Sequence, residues 1–374
     1  MTTPPIEKTL PIPDELILKL KATEQNPRYH AEGNVYNHTL LVLQQYEMYA
    51  DTFEVNPAEK EVLYWAAILH DVGKPEVTQW VDGRWSARGH EVAGVPVARE
   101  FLLGQPQLTP AQRRDILDLV RWHHVPMRWG LRDTPLDAYK RLATRINPRL
   151  LGYFAWIDTL GRICEDKAYI TDILRNFNTH IVPRIHLETG DWDSICAIYQ
   201  QASVRQKNAL WQSLKQPDIR LLEKLLTTRH PQIHPPVFDC TILLTPASPR
   251  LDSWISTHLP DRVRYDAGAW DTPGLSTKLR AAALRMIEHF ISVYGKGERK
   301  LLLTGDFTDS DTRHRIADFV RHQGGYIRYL VPESQMGSLQ TETAPEDWEA
   351  IHRIWHRLEW PHPWEAHETV QVTL

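Results

Sequence analysis

Along the first half of the chain, apolar positions recur every three or four residues, the spacing of one face of a helix. The pattern begins near Asn34, where Val35, His38, Leu41 and Val42 share a face and His38 is its polar member. A second segment runs from about Pro57 to Leu69 and ends in His70-Asp71, with Gly73 and Pro75 as stop signals. Residues 76–90 read as irregular, with Asp82-Gly83 a tight turn. A helix follows from His90-Glu91 through Phe101, then a Pro-rich loop from Gln105 to Pro110, then a helix over 111–124. In that last helix Ile116, Leu119, Val120 and His123 recur at helical spacing, so His123 points inward. A further helix holds Leu151, Phe154, Asp158 and Arg162, the last three one above another on one face. Before Asn34 one short helix is expected, around Asp14 to Ala22. Residues 171–228 are weakly helical and carry no functional reading.

The pattern changes after the Pro-rich stretch 230–236, which resists both helix and sheet. Residues 237–244, 300–304 and 326–331 are continuous apolar runs that read as buried strands. Helical segments at 274–293, 310–322 and 345–358 lie between and after them. The fold class expected is an all-α domain followed by a small α/β domain with a parallel sheet. The boundaries are an N-terminal extension over 1–30, the helical domain over 31–182, a connector and linker over 183–236, and the α/β domain over 237–374.

Composition narrows the setting. Hydrophobic residues make up 42% and charged residues 24%, as in a globular protein, and the longest apolar run, Val62 to Leu69, is too short to span a membrane. Three scattered cysteines, Cys164, Cys196 and Cys240, argue against a disulfide framework. With no basic or apolar leader after Met1, the expected location is the cytoplasm. A net charge of -4 gives no global attraction to nucleic acid. Locally, residues 121–150 hold seven Lys/Arg against two acidic residues, with Arg141, Arg145 and Arg149 spaced for one helical face. That segment reads either as a solvated face or as a path for a polyanion.

The inward polar residues are His38, His70, Asp71, His90, His123 and Asp158. Desolvating an unpaired carboxylate is costly, and a metal ion compensates for it. The alternative for His70-Asp71 is a hydrogen-bonded pair at a helix end. Four histidines and two carboxylates suit one or two divalent ions, of the manganese, iron, cobalt, nickel or zinc type rather than calcium. A shared carboxylate can bridge two ions ~3.5–4 Å apart, as in two-metal hydrolysis.

In the order H…HD…D, His38, His70-Asp71 and Asp158 resemble the HD-domain metal-dependent phosphohydrolases. Gly73-Lys74-Pro75, Gly89-His90-Glu91, Arg121-Trp122-His123 and Asp158-Thr159-Leu160-Gly161-Arg162 extend the resemblance to the HD domains of tRNA nucleotidyltransferases, over roughly residues 30–180. The resemblance implies that His38, His70, Asp71 and Asp158 hold one metal, and that His90 and His123 complete a second site bridged by Asp71. It implies catalytic parts for Asp71, and for Lys74 and Arg162 as holders of phosphate oxygens. His124, Arg141 and Arg145 are expected on the substrate side.

The α/β half resembles the kinase domain of bacterial end-healing enzymes, which join an HD phosphoesterase to a polynucleotide kinase in this order. Asp252-Ser253-Trp254, the Asp266 segment, Arg313 and Trp364-Glu365-Ala366-His367-Glu368 carry that resemblance. The phosphate loop is missing its chemistry. Residues 245–253 contain no glycine and two prolines, and Leu251 stands at the lysine position. Nucleotide-binding residues are therefore not expected there. The function expected is metal-dependent phosphoester hydrolysis at the 2′,3′ end of RNA or a related nucleotide. Hydrolysis of free or cyclic nucleotides is the first alternative, and a metal-binding nucleotide sensor without turnover the second.

Overall fold

The structure is a computed structural model. It describes residues 9–143, 145–185, 202–204, 206–208, 236–244, 249–268, 277–296 and 299–333, and, beyond these, residues 340, 345, 348–349, 352, 355, 357–362 and 365–373. The chain divides into two compact units, Met1–Leu187 and Glu188–Leu374.

The first unit is helical. Its elements are α1 (Asp14–Ala22), α2 (Val35–Tyr49), α3 (Pro57–Leu69), α4 (Lys74–Val77), α5 (His90–Leu103), α6 (Pro110–Trp122), α7 (Val125–Gly130), α8 (Leu136–Ala143), α9 (Pro148–Gly161), α10 (Lys167–Asn176) and α11 (Val182–Ile185). Local chemistry sets where the long ones begin. Asn56 and Glu59 form a reciprocal capping box before Pro57, as Thr109 and Gln112 do before Pro110. Asn34 caps α2 by accepting from the Asn37 N–H, and Asn147 caps α9 ahead of Pro148. α3 is the central member. It buries Val62, Leu63, Trp65, Ala66, Ala67, Ile68 and Leu69, and packs on α2, α6 and α9.

Two glycines let the site close. A Cβ on Gly73 would lie 2.2 Å from the His90 carbonyl oxygen and 2.3 Å from the Gly94 nitrogen. A Cβ on Gly161 would lie 2.8 Å from the Val42 nitrogen. Only an absent side chain lets the turn after α3 touch the start of α5, and the end of α9 touch α2.

Three local expectations are corrected. Residues 79–86 are not irregular: β1 (Gln79–Val81) and β2 (Arg84–Ser86) form a hairpin over Asp82-Gly83, both at positive φ (48° and 74°), as a two-residue primed turn demands. Arg141, Arg145 and Arg149 do not share a helix. α8 ends at Ala143, Arg145 lies in the turn, and Asn147-Pro148 starts α9, where Arg149 pairs with Glu59 at 2.7 Å. Arg162 is the C-cap of α9 in an extended conformation rather than a helical residue.

The second unit carries a five-stranded parallel sheet in the order β4-β5-β3-β6-β7. The strands are β3 (Asp239–Leu243), β4 (Val263–Asp266), β5 (Lys300–Thr304), β6 (Tyr326–Glu333) and β7 (Glu368–Thr373). Central β3 presents Cys240 and Ile242 to one face and Leu243 to the other. The first face packs on α13 (Thr277–Tyr294) and α14 (Ser310–His322), the second on α12 (Pro249–His258) through Leu251 and Ile255. Burial on both faces explains the continuous apolar runs. Edge strands β4 and β7 were not expected, because Val263-Arg264-Tyr265-Asp266 and Glu368-Thr369-Val370-Gln371 carry polar residues between the apolar ones. The linker at 230–235, residues 245–248 of the phosphate-loop region and most of 345–358 lie outside the described residues. Among the described residues no helix is long and apolar enough to cross a membrane.

Candidate metal centre

The six inward residues meet at the ends of five elements. His38 comes from α2, His70 is the C-cap of α3 with Asp71 after it, His90 opens α5, His123 is the C-cap of α6, and Asp158 lies in the last turn of α9. All six are at least nine-tenths buried. Asp71 is the hub. Its Oδ2 is 2.7 Å from Lys74 Nζ, 3.2 Å from His70 Nε2 and 3.6 Å from His38 Nε2, and its Oδ1 is 3.2 Å from His90 Nε2. Asp158 Oδ1 stands 3.0 Å from His38 Nε2 and 3.8 Å from His70 Nε2. His90 Nε2 and His123 Nε2 are 3.5 Å apart.

Each ligand histidine is held by its far nitrogen. Nδ1 of His70, His90 and His123 hydrogen-bonds to the carbonyl oxygen three residues earlier, of Ala67, Ala87 and Val120, at 3.2, 2.8 and 2.9 Å. The proton therefore sits on Nδ1 and the Nε2 lone pair faces the cluster. His38 Nδ1 instead lies 2.9 Å from Glu32 Oε1.

The same carboxylate oxygen is 2.8 Å from His30 Nδ1, and the Ile163 N–H donates to Glu32 Oε2 at 2.9 Å. Sequence reading missed Glu32 and His30. They stand in a loop without periodicity, and only the spacing His30-x-Glu32 ahead of His38 hinted at them.

The donor set fits a divalent cation. Both Asp71 carboxylate oxygens and Nε2 of His70 are buried and make no well-aligned hydrogen bond, the Lys74 ammonium 2.7 Å from Oδ2 being an ion-pair partner. Lone pairs left unmade at one point in a protein interior are unfavourable, and a cation satisfies all of them together. Burial opposes charge on Asp71 and Asp158. The neighbouring His70 and Lys74 hold Asp71 well below the usual carboxylate range, and Arg162 and His38 do the same for Asp158. Burial, then the adjoining His124 and His70, keeps His123 neutral, the form that ligates. Two triads, His38-His70-Asp71 and His90-His123-His124, each bring three donor atoms within 4.8 Å of one another.

The residues expected on the substrate side separate into two groups. Lys74 and Arg162, 5% and 6% exposed, stay at the cluster, with Arg162 held by Asp158 at 2.5 Å. His124 joins them. Its Nε2 accepts from Arg162 at 3.1 Å, and its Nδ1 faces Glu91 Oε1 at 3.2 Å, which in turn pairs with Arg128 at 2.9 Å. An arginine only donates, so His124 carries its proton on Nδ1. Arg141 and Arg145 are not part of this group. Neither lines the cavity of about 470 Å³ beside the cluster, whose wall includes Lys74, His90, His124 and Arg162.

The Glu32 contact leads to a test. Glu32→Ala is expected to weaken binding of the site's metal by about 10- to 100-fold, since an outer partner of a ligating imidazole fixes its ring and basicity. Competition with a chromophoric chelator measures this. Unchanged affinity in a folded variant would separate Glu32 from the ligand set.

Comparison with known proteins agrees with this geometry. Over 151 residues the chain is 33% identical to the "Multifunctional CCA protein" of Alkalilimnicola ehrlichii, a stretch covering 38% of this chain. The match spans about one third of that relative's length (33%). The family model of the HD domain matches residues 35–161, from the first residue of α2 to the last of α9. That span contains every ligand position described above, and residues 35–161 are accordingly an HD domain, of the kind found in metal-dependent phosphohydrolases.

Proposed function

We propose that the first unit is a metal-dependent phosphodiesterase whose substrate is a 2′,3′-cyclic phosphate, or the derived 2′- or 3′-monoester, at the end of an RNA. The observation that carries this reading is the convergence of Asp71 and His70, whose buried acceptors make no well-aligned hydrogen bond, with two buried cations, Lys74 and Arg162, that line the adjoining cavity. His38, His70, Asp71 and Asp158 would hold one ion, and His90 and His123, with Asp71 shared, a second. A divalent ion in such a site supplies a Lewis acid that polarises a phosphoryl oxygen and lowers the pKa of water. The chain's own part is to keep Asp71 and Asp158 ionised and His123 neutral, and to set Lys74 and Arg162 where phosphoryl charge develops. Arg162 presents a planar guanidinium and Lys74 a point charge, so only the former can bind two oxygens side by side.

In the second unit, Leu251 at the lysine position of a kinase loop is buried among Leu243, Ile255, Leu302 and Leu330. A side chain spent on the core holds no phosphate. We read this unit as a kinase-like domain without kinase chemistry, serving structure or end binding. A free nucleotide remains the second reading, because the cavity wall contains neither Arg141 nor Arg145.

Metal analysis by mass spectrometry and turnover with manganese test the reading. Hydrolysis of a 2′,3′-cyclic mononucleotide and of a cyclic-ended ten-mer is compared at low and high salt. A ten-mer KM that rises more steeply with salt marks a polynucleotide substrate. Equal efficiency on both at either salt marks the free nucleotide, and metal binding without turnover marks a sensor.

A further inference from the structure

The cavity beside the metal centre has a wall that the phosphohydrolase chemistry uses only in part. From the cluster it takes Lys74, His124 and Arg162, and from elsewhere Gln25, Tyr29 and Trp85. Gln25 follows α1 and is 6% exposed. Its Oε1 accepts from Lys74 Nζ at 2.6 Å, and that same Nζ is 2.7 Å from Asp71 Oδ2. Lysine offers only donors, so the amide oxygen must face it and the amide nitrogen must face away. Gln25 Nε2 is buried and has no hydrogen-bond partner. A buried donor held in a fixed direction, one side chain from the metal ligands, is what a ligand acceptor would meet.

The same wall carries large aromatic side chains. Trp85 sits on β2, where its cross-strand partner Trp80 packs edge-on against it at 5.1 Å between ring centres. The hairpin therefore fixes a large flat side chain at the cavity, and Tyr29 lines it from the loop after α1.

We propose that this cavity receives the nucleoside of the substrate, with Gln25 Nε2 donating to a ribose or ester oxygen beside the phosphorus and with Trp85 and Tyr29 walling the base. The proposal rests on the phosphohydrolase reading of the adjacent cluster and adds the side chains that would hold the nucleoside, Gln25, Trp85 and Tyr29. Every base presents a π-face, so two aromatic walls select nucleotides over other phosphoesters without choosing among bases. Gln25 is the orienting donor, already braced by Lys74 before the substrate arrives.

Calorimetric binding of a nucleoside 2′-monophosphate and of ribose 5-phosphate to the full chain tests this. The wild-type protein is expected to hold the nucleotide about tenfold or more tighter than the sugar phosphate, and Trp85→Ala to remove most of that ratio. Gln25→Glu keeps an acceptor for Lys74 but replaces the donor, and Gln25→Leu removes both. Each is expected to weaken nucleotide binding by about tenfold.

Equal wild-type affinity for nucleotide and sugar phosphate would overturn the base site, whatever the stability of the variants. Unchanged nucleotide affinity in both folded Gln25 variants would overturn the donor. Turnover of bis(p-nitrophenyl) phosphate with manganese is measured separately. Its absence would remove the phosphohydrolase reading while leaving the binding result to stand or fall alone.

Discussion

Replacing Asp71 with alanine is expected to abolish metal-dependent hydrolysis and to lower metal occupancy while leaving the helical content largely intact. Asp71 faces His38, His70 and His90 as well as Lys74, so its carboxylate lies between the two triads. Losing it removes about 4 kcal/mol or more of transition-state stabilisation, a factor on the order of 10³ in rate. Helicity should survive because Asp71 lies beyond the C-cap of α3, outside the hydrogen-bonded helix. Asp71→Asn keeps the volume and separates charge from packing, since alanine also leaves the Lys74 ammonium buried without its carboxylate. Rates with manganese, metal content and far-UV circular dichroism read the result. A near-wild-type rate in Asp71→Ala would sink the two-metal reading.

Acid is expected to destabilise the second unit through His367. The Ile327 N–H donates to His367 Nδ1 at 2.9 Å, and His367 Nε2 meets Asn208 Oδ1 at 2.8 Å. Nδ1 must therefore stay unprotonated. Burial, then the Arg321 and Lys207 charges, pushes the imidazole down to about 2. An unfolded chain takes up this proton near the ordinary value of about 6.5, so below that pH the unfolded state binds more protons than the folded one. The stabilisation is complete above pH 6.5 and is lost as pH falls toward the folded value, amounting to about 2 kcal/mol between pH 7.5 and pH 5.

The buried Glu365, held down to about 2 by Arg313 against the effect of burial, loses its own contribution only below the ordinary carboxylate value of about 4.3. Denaturant melts above pH 4.8 therefore leave Glu365 out, and the difference in slope between wild type and a His367 variant separates His367 from the other buried histidines, His30, His123 and His124. His367→Asn, which offers an acceptor but no proton site, is expected to flatten the slope. An identical slope in wild type and variant would reject the assignment.

Much of the fold was legible because long helices announce themselves twice, by periodicity and by caps. Pro57–Leu69 has both a clean apolar face and the Asn56–Glu59 box, and its expected and observed limits agree. The ligand residues were legible for a related reason: a histidine or aspartate at the inner end of an apolar helix conflicts with burial unless something compensates.

What stayed hidden depends on tertiary approach. The hairpin 79–86 has three residues per strand and no buried face, so alternation cannot show in it. Arg141, Arg145 and Arg149 have helical spacing, but Asn147-Pro148 between the last two is a start signal that outweighs it. Glu32 and Gln25 come from loops. Their place at the cluster follows from how the chain before α2 lies across it, and no local pattern records that.

The anchoring of the imidazoles has a consequence for how this centre tolerates change. His70, His90 and His123 are each oriented by a carbonyl of their own chain three residues back. Any residue at position 67, 87 or 120 that keeps the backbone path supplies that carbonyl, so three ligand rings are indifferent to side-chain replacement at their anchors. His38 alone leans on a side chain, through one oxygen of Glu32 shared with His30. Sequence drift around the four ligand imidazoles therefore reaches their orientation through a single carboxylate, and relatives that tune their metal differently should diverge at the positions of Glu32 and His30 before they diverge at the anchors of the other three.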